Sequence, residues 1–485
     1  MISFNQIPVG IRTPGTFAEF SNARAAPNLA PWTTRILLLG QKLAGGSQAS
    51  LQPVQINTKD DGIALFGQGS MLDRMIKALF DVNASTETWA MAVDDNGAGV
   101  AATYLTTVTA PPTAAGTLAL YIAGQLVDVG ITAAMTTAQV ATAIAAAINA
   151  DADLPVTATV AGSVVTSTVR WKGLTGNDVD FRTNYYSTDV MPAGLALATA
   201  AGVAGAGNPS AAAAIAALGS KQYHDIVFPW GDGANIALIS AEMANRRGPM
   251  EMIEGISYTA AKGSQGALAT FGESPNSPDL CFPESVGPTP TWERAAREAG
   301  LCNYYCSIDP NRPLQTLEMT GDMAPNDSEA FTQTERNALL YDGVSTHKVV
   351  SGVLQLERPI TTYRLNAQGV ADASYLDVTT MKTLSYLRYS FVIRVNTKFP
   401  RIKIAKDGTT ITPGQAMVTP KTLKAELNAL AQDWESAGLV QDLDTFASLL
   451  NVEINAEDPD TVDMYIPPDI IPGLRVVRAQ IAFAF

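Results

Sequence analysis

The sequence predicts a multidomain protein of mixed α/β and α+β class: an α/β core domain with an inserted β-rich domain, followed by a C-terminal α+β domain, with extended strand arms at both ends. Three observations carry this expectation. Apolar runs of strand length alternate with helix-patterned stretches before residue 97 and again from 210 to 300, the signature of a mostly parallel sheet covered by helices. Between these stretches the composition turns to Thr, Val and Ala. Both ends are apolar, extended and punctuated by proline.

Taken in order, residues 1–25 read as an N-terminal linking arm, with Ile2, Phe4, Ile7 and Val9 in an extended pattern and Pro8 and Pro14 forbidding a helix. Residues 26–97 open the α/β domain. RILLLG at 35–40 is a strand buried on both faces, 59–66 and 71–80 are helical with Met71, Met75, Ile76 and Leu79 on one face, and ETWAMAV at 87–93 is a second strand. The turn-rich DDNGAG at 94–99 leads into the insertion, residues 98–190. It is expected to hold strands at 100–108, 117–129 and 156–169 and one helix at 137–150, capped by Thr136 or Thr137, with Val140, Ile144 and Ile148 on one face. The Gly and Ala-rich run from 191 to 209 reads as a flexible linker.

The α/β pattern resumes across 191–327, with helices near 210–218, 234–245, 264–271 and 291–300 and strands near 224–229, 253–258 and 280–282. Residues 328–463 form the α+β domain: a helix at 329–340, strands across 348–356, a long helix through 381–395, and a hairpin turning at Lys406, Asp407 and Gly408. Thr419 and Pro420 then open a helix that stacks Leu423, Leu427, Leu430 and Trp434 and stops at Gly438. A further hairpin pairs 452–455 with 461–466. Residues 464–485 are the closing strand and arm, in which Val477, Ile481, Phe483 and Phe485 fall on one face. An apolar closing strand of this kind implies a sheet that receives it, in this chain or in a neighbour.

Composition narrows the function. At 485 residues the chain suits about three domains. A net charge of −14 argues against nucleic-acid binding, which needs clustered Lys and Arg. Only 16% of residues are charged while 47% are hydrophobic, which suits a protein that buries much of its surface against copies of itself. Three cysteines are too few for a secreted disulfide framework, and neither a signal peptide nor an apolar run of membrane-spanning length is present, so we expect synthesis in a cytoplasm and no membrane insertion.

Catalytic signatures are absent: no GxxxxGK phosphate loop, GxSxG elbow or HExxH pair occurs. His224 and His347 are the only histidines, one opening and one preceding a buried strand, and both read as structural. Cys302 and Cys306 lack the two further ligands a zinc site needs. Gly67, Gly69, Gly231 and Gly233 read as tight turns, Lys262 as a solvated helix start, and Asp94, Asp95, Asp458 and Asp460 as turn-forming carboxylates. No catalytic residue, cofactor or metal is expected.

One stretch carries a resemblance. VLQLERPITTY at 353–363, with Glu357, Arg358, Thr361, Thr362 and Tyr363, resembles the motif near the start of the C-terminal domain of contractile tail sheath proteins. Tyr375 and Asp377, the Lys406-Asp407-Gly408 turn, the Trp434 to Gly438 helix end and the Asp458-Pro459 turn follow in the same order. YIAG at 121–124 and TGND at 175–178 are similar to the sheath of Mu-like transposable phages. The resemblance implies a subunit that polymerises as stacked, hexameric rings around a tail tube and contracts to drive the tube through a host envelope. It also implies arms that add strands to neighbouring subunits, tail tube, baseplate and terminator proteins as partners, a tube-facing C-terminal domain, an insertion on the outer surface, and a place in the virion after assembly in the host cytoplasm. Two alternatives stay open at this point: the sheath of a genome-free contractile injection particle, and an α/β enzyme with an accessory β domain.

Overall fold

The computed structural model describes residues 31–410, 412 and 414–484. The N-terminal arm residues Ile2, Phe4, Ile7 and Val9, and Phe485 at the other end, lie outside the described residues.

The chain divides into two compact units, one of residues 33–385 with 473–484 and one of Tyr386–Pro472 with Trp32. The first begins with β1 (Arg35–Gln41), β2 (Val54–Ile56), α1 (Asp61–Phe66), α2 (Met71–Val82) and β3 (Glu87–Val93). Helix α2 starts where the Ser70 hydroxyl accepts from the Asp73 N–H, and its Met71, Met75, Ile76 and Leu79 side chains are all buried, as their spacing requires.

The insertion follows with β4 (Thr103–Ala110), β5 (Gly116–Ile122), β6 (Gln125–Ile131), α3 (Thr137–Ala150), β7 (Val156–Ala161), β8 (Val164–Val169), a 3-10 turn (Leu174–Asp178), β9 (Phe181–Thr183) and β10 (Ala196–Ala201). Two of the three strands expected here are hairpins. The apolar run at 117–129 folds back at Ala123 and Gly124, whose positive φ angles of 51° and 79° suit a two-residue turn that matches strand twist. The run at 156–169 reverses likewise between β7 and β8. Helix α3 carries the expected cap, a reciprocal pair of bonds between Thr136 and Gln139. The segment expected to be a flexible linker is instead part of a sheet: β10 pairs antiparallel with β4, giving the order β10-β4-β8-β7 beside a second sheet β6-β5-β9. The insertion therefore runs past the expected boundary at residue 190. Alanine and glycine signal no strand on their own, and the ladder to β4 imposes one.

The chain then supplies α4 (Ala212–Leu218), β11 (Asp225–Val227), α5 (Gly233–Arg247), β12 (Ile256–Tyr258), α6 (Gln265–Glu273), β13 (Leu280–Cys281) and α7 (Thr291–Ile308). These complete a six-stranded sheet of order β13-β12-β11-β1-β3-β2, parallel except for its β2 edge. Next come α8 (Gln333–Tyr341), the hairpin of β14 (Thr346–Val350) and β15 (Val353–Arg358), and α9 (Val378–Lys398). The expected domain boundary at 327 is not where the chain divides. Leu354, Leu356, Val378 and Met381 lie in the same apolar core as Ile36 and Ala295, so the hairpin and the start of α9 belong to the α/β unit.

The second unit contains β16 (Lys403–Ile404), β17 (Met417–Val418), α10 (Pro420–Ser436), β18 (Val440–Gln441), α11 (Leu443–Leu449), β19 (Asn451–Ile454), β20 (Val462–Tyr465) and β21 (Asp469–Ile470). Helix α10 opens on the Thr419 cap with Pro420 in its first turn, and Leu423, Leu427, Leu430 and Trp434 are buried. The hairpin expected around Lys406 is not formed; β16 pairs in parallel with β17 on the far side of that loop. The β19 and β20 hairpin forms as expected.

Candidate functional site

The family motif closes the β14 and β15 hairpin onto the parallel sheet. Glu357 and Arg358, at the end of β15, do not pair with each other. Glu357 accepts from Arg336 Nε of α8 at 2.7 Å and from Thr346 Oγ1 at 3.0 Å, and Arg358 donates twice to Asp377, at 3.0 and 3.1 Å. Beyond them, Thr361 Oγ1 donates to the Tyr375 carbonyl at 2.7 Å. Thr362 N–H donates to the carbonyl of Leu280 in β13 at 2.9 Å, and its hydroxyl both receives from Ser277 N–H and donates to the Ser277 carbonyl. Tyr363 donates to Asp372 at 2.7 Å. The motif is thus a set of side chains satisfying backbone groups where a hairpin, a loop and a sheet edge meet.

Arg475 joins this network. Its guanidinium lies 3.2 Å from Asp377 and donates to Thr379 Oγ1 at 3.2 Å, fixing the root of the closing segment. From there to Ala484 no strand forms among the described residues, whereas the expectation was a strand from Leu474 onward. Leu474, Val476, Val477, Ile481 and Phe483 are 70–88% exposed. The expected start of this arm at residue 464 is too early: Met464, Ile466 and Ile470 pack around Leu430, Trp434 and Phe446, and β20 and β21 have partners in the same unit. Alternation alone cannot separate a strand with a partner in its own chain from one without. Arg475 was not singled out from sequence, and no local pattern marks it, because its partners lie far back in the chain.

The two insertion motifs are fasteners. YIAG turns the β5 and β6 hairpin, and its Ala123 carbonyl receives Arg74 Nη2 of α2 at 3.0 Å. In TGND, Thr175 receives Trp171 Nε1 at 3.1 Å, and Trp171 meets Trp292 of α7 edge to face at 5.2 Å between ring centroids. Asp178 accepts from Thr291 Oγ1 at 2.7 Å at the start of α7, where burial pushes its carboxyl above the usual range. Lys262, expected to be solvated, instead donates to the Asp178 carbonyl at 3.0 Å, and burial pushes its ammonium below the ordinary lysine range. Gly69 admits the insertion's return, because a Cβ there would stand 2.4 Å from the Ala152 carbonyl oxygen.

No reactive constellation forms from the remaining candidates. His224 is buried, with Nδ1 accepting from Arg35 N–H at 3.1 Å. His347 is buried between Glu284 and Glu298. Cys281, Cys302 and Cys306 are buried thiols, and burial pushes Cys306 up to about 12. Among the described residues no His, Cys, Asp and Glu cluster could hold a metal ion, and no helix is long and apolar enough to cross a membrane. A 690 Å³ crevice at the ends of the parallel strands is rimmed by carboxylates already engaged inside the protein: Asp95 accepts from Gln41 at 2.6 Å, and Asp232 from Asn208 and Asn235.

The described residues thus combine an α/β unit, a docked β insertion and an exposed apolar closing segment. Residues 204–362 match the phage tail sheath protein central domain and residues 370–484 the phage tail sheath C-terminal domain. The chain belongs to the phage tail sheath family, whose members are structural components of the tail and not enzymes. It is 39% identical over 486 residues to the Mu-like prophage FluMu tail sheath protein of Haemophilus influenzae, covering 99% of each chain. The sheath tail protein Lin1278 of Listeria innocua shares the fold at a TM-score of 0.50, with 10% identity over 92% of this chain and 94% of that one. The contracted helical sheath of the anti-feeding prophage aligns at a TM-score of 0.48 and 8% identity, over 97% of this chain and 99% of that one. The motif at 353–363 falls at the end of the central-domain match, not at the start of the C-terminal one, in keeping with its packing on the α/β unit.

Proposed function

We propose that this chain is the subunit of a contractile tail sheath that polymerises as stacked, hexameric rings around a tail tube and shortens to drive the tube through a host envelope. Subunits are linked by strand addition: residues 1–25 and the segment after Arg475, with Val477, Ile481, Phe483 and Phe485 as apolar anchors, pair with sheets of neighbours. Tail tube, baseplate and terminator proteins are its partners, and assembly takes place in the host cytoplasm. The insertion faces outward and the C-terminal α+β part faces the tube. The energy of shortening is the difference between two packings of one subunit, a bistable assembly that consumes no nucleotide.

The observation that carries this reading is the closing segment. Leu474, Val476, Val477 and Ile481, four large apolar side chains within eight residues, are each at least 70% exposed and stand in no strand ladder among the described residues, which is costly in water. Burying them against a neighbour offsets that cost. The experiment is negative-stain electron microscopy of the intact chain beside one ending at Arg475, at one concentration and salt. Tubes or rings from the intact chain and folded monomers from the shortened one are expected. Tubes from the shortened chain would overturn strand linkage by this arm.

A further inference from the structure

His347 is set in β14 with a carboxylate on each side of its ring. Nδ1 lies 3.0 Å from Glu284 Oε1, in the loop after β13, and Nε2 lies 2.8 Å from Glu298 Oε2 on α7. All three side chains are buried. A neutral imidazole has one N–H and one lone pair, so in this setting it would press a lone pair against a carboxylate; only the imidazolium donates to both.

The surrounding charges complete the picture. Glu284 also receives the N–H groups of His347, at 3.3 Å, and Val286, at 2.9 Å. Glu298 receives the Cys281 thiol of β13 at 3.4 Å, and Cys281 also meets Ser345 at 3.3 Å. Burial pushes the Glu284 carboxyl up, and the charges of His347 and of Arg294 on α7 outweigh it and hold it below the usual range, while the buried ion pair of Arg294 is with Asp322 at 2.7 Å. Burial alone would push the imidazole down, and the two carboxylates outweigh it and hold it up at about 9.

We infer that Glu284, His347 and Glu298 form a proton-dependent clasp that holds the β14 and β15 hairpin, and with it Glu357 and Arg358, on the α/β body. While the imidazolium is present, three segments distant in sequence are tied by charge-assisted bonds inside the protein. Without its proton, two buried carboxylates face each other across a neutral ring, and the hairpin loses its tie. The ring's folded value lies above its unfolded one, so the clasp's contribution to stability is complete below about 6.5 and is lost as pH rises through about 9, where the folded ring gives up its proton.

The test uses the intact chain labelled with ¹⁵N in histidine. With only two histidines, the spectrum holds two imidazoles, and His347→Gln assigns them. Two N–H protons on His347 at neutral pH are expected, lost near pH 9. Hydrogen exchange of the hairpin amides, corrected for intrinsic rate, should accelerate over the same step by up to about 10²-fold. The step should be missing in His347→Gln. A single N–H on His347 at neutral pH, or hairpin exchange that ignores loss of the proton, would overturn the clasp. Should His347→Gln fold poorly, co-titration of the ring and the hairpin in the unaltered chain decides the matter alone.

Discussion

Arg475 and Arg358 grip the same carboxylate, that of Asp377: Arg358 with paired bonds of 3.0 and 3.1 Å from the end of β15, and Arg475 at 3.2 Å from the root of the closing segment. A family-motif residue and the closing segment it precedes by more than a hundred positions are therefore tied to one side chain. Replacing Asp377 by Asn leaves two guanidiniums sharing a neutral amide. We expect a loss of about 1–3 kcal/mol in denaturant unfolding, because a charged group loses its partner in a half-buried site. Arg475→Ala should cost less stability and still impair assembly in electron microscopy, because it frees the direction in which the arm leaves the body. Unimpaired assembly of Arg475→Ala would mean that the root geometry is irrelevant.

Ile481→Pro isolates the arm from the core. The side chain is 88% exposed and Ile481 stands in no strand among the described residues, so thermal unfolding of the monomer should be unchanged. Proline removes one ladder donor and blocks strand addition at that point, so polymerisation should stop. Tubes of normal yield from this variant would remove the strand model.

The insertion can be excised at its root. Val100 and Ala206 form an antiparallel bridge, and Gly99 and Gly207 are in direct contact behind it, so deleting residues 100–206 and joining those glycines leaves β3 and α4 undisturbed. We expect the shortened chain still to polymerise. It should melt earlier than the intact chain, because Trp292 loses Trp171 and Arg74 loses the Ala123 carbonyl. Loss of assembly with the fold retained, read by circular dichroism beside electron microscopy, would make the insertion part of the lattice.

The sequence displays elements whose partners are local or whose period is strict. Helix α10 shows its Thr419 cap, its Pro420 start and its four-residue apolar spacing on the surface of the text, and β1 shows a doubly buried apolar run. It hides whatever depends on distant pairing. The turn at Ala123 and Gly124 sits inside an uninterrupted apolar run, β10 is an alanine-rich strand made only by its ladder to β4, and the division of the chain near Ser385 falls within one continuous helix. The motif residues were legible as a pattern, but their roles were not, because Glu357 reaches back to Arg336 on α8 and Arg358 forward to Asp377, partners that no local pattern marks. The closing segment was legible as apolar, but where it leaves the body was not, because Met464 and Ile470 alternate in the same way and pack at home.

Acid should destabilise the monomer through His224. Burial, with the Lys382 and Arg35 cations adding to it, pushes this imidazole from 6.5 down to about 3, so the folded protein keeps it neutral. Between those two values the unfolded chain takes up a proton that the folded chain refuses, and stability therefore falls as pH drops below about 6.5. One group of this kind contributes at most about 1.4 kcal/mol per pH unit. Carboxylates titrate in the same range, so the contribution of His224 is read as a difference. His224→Asn retains a side-chain acceptor for the Arg35 N–H and has nothing to protonate. Its unfolding free energy, measured in denaturant from neutral pH to about pH 5, should decline less steeply than that of the unaltered chain, and parallel declines would show that His224 accepts its proton inside the folded protein.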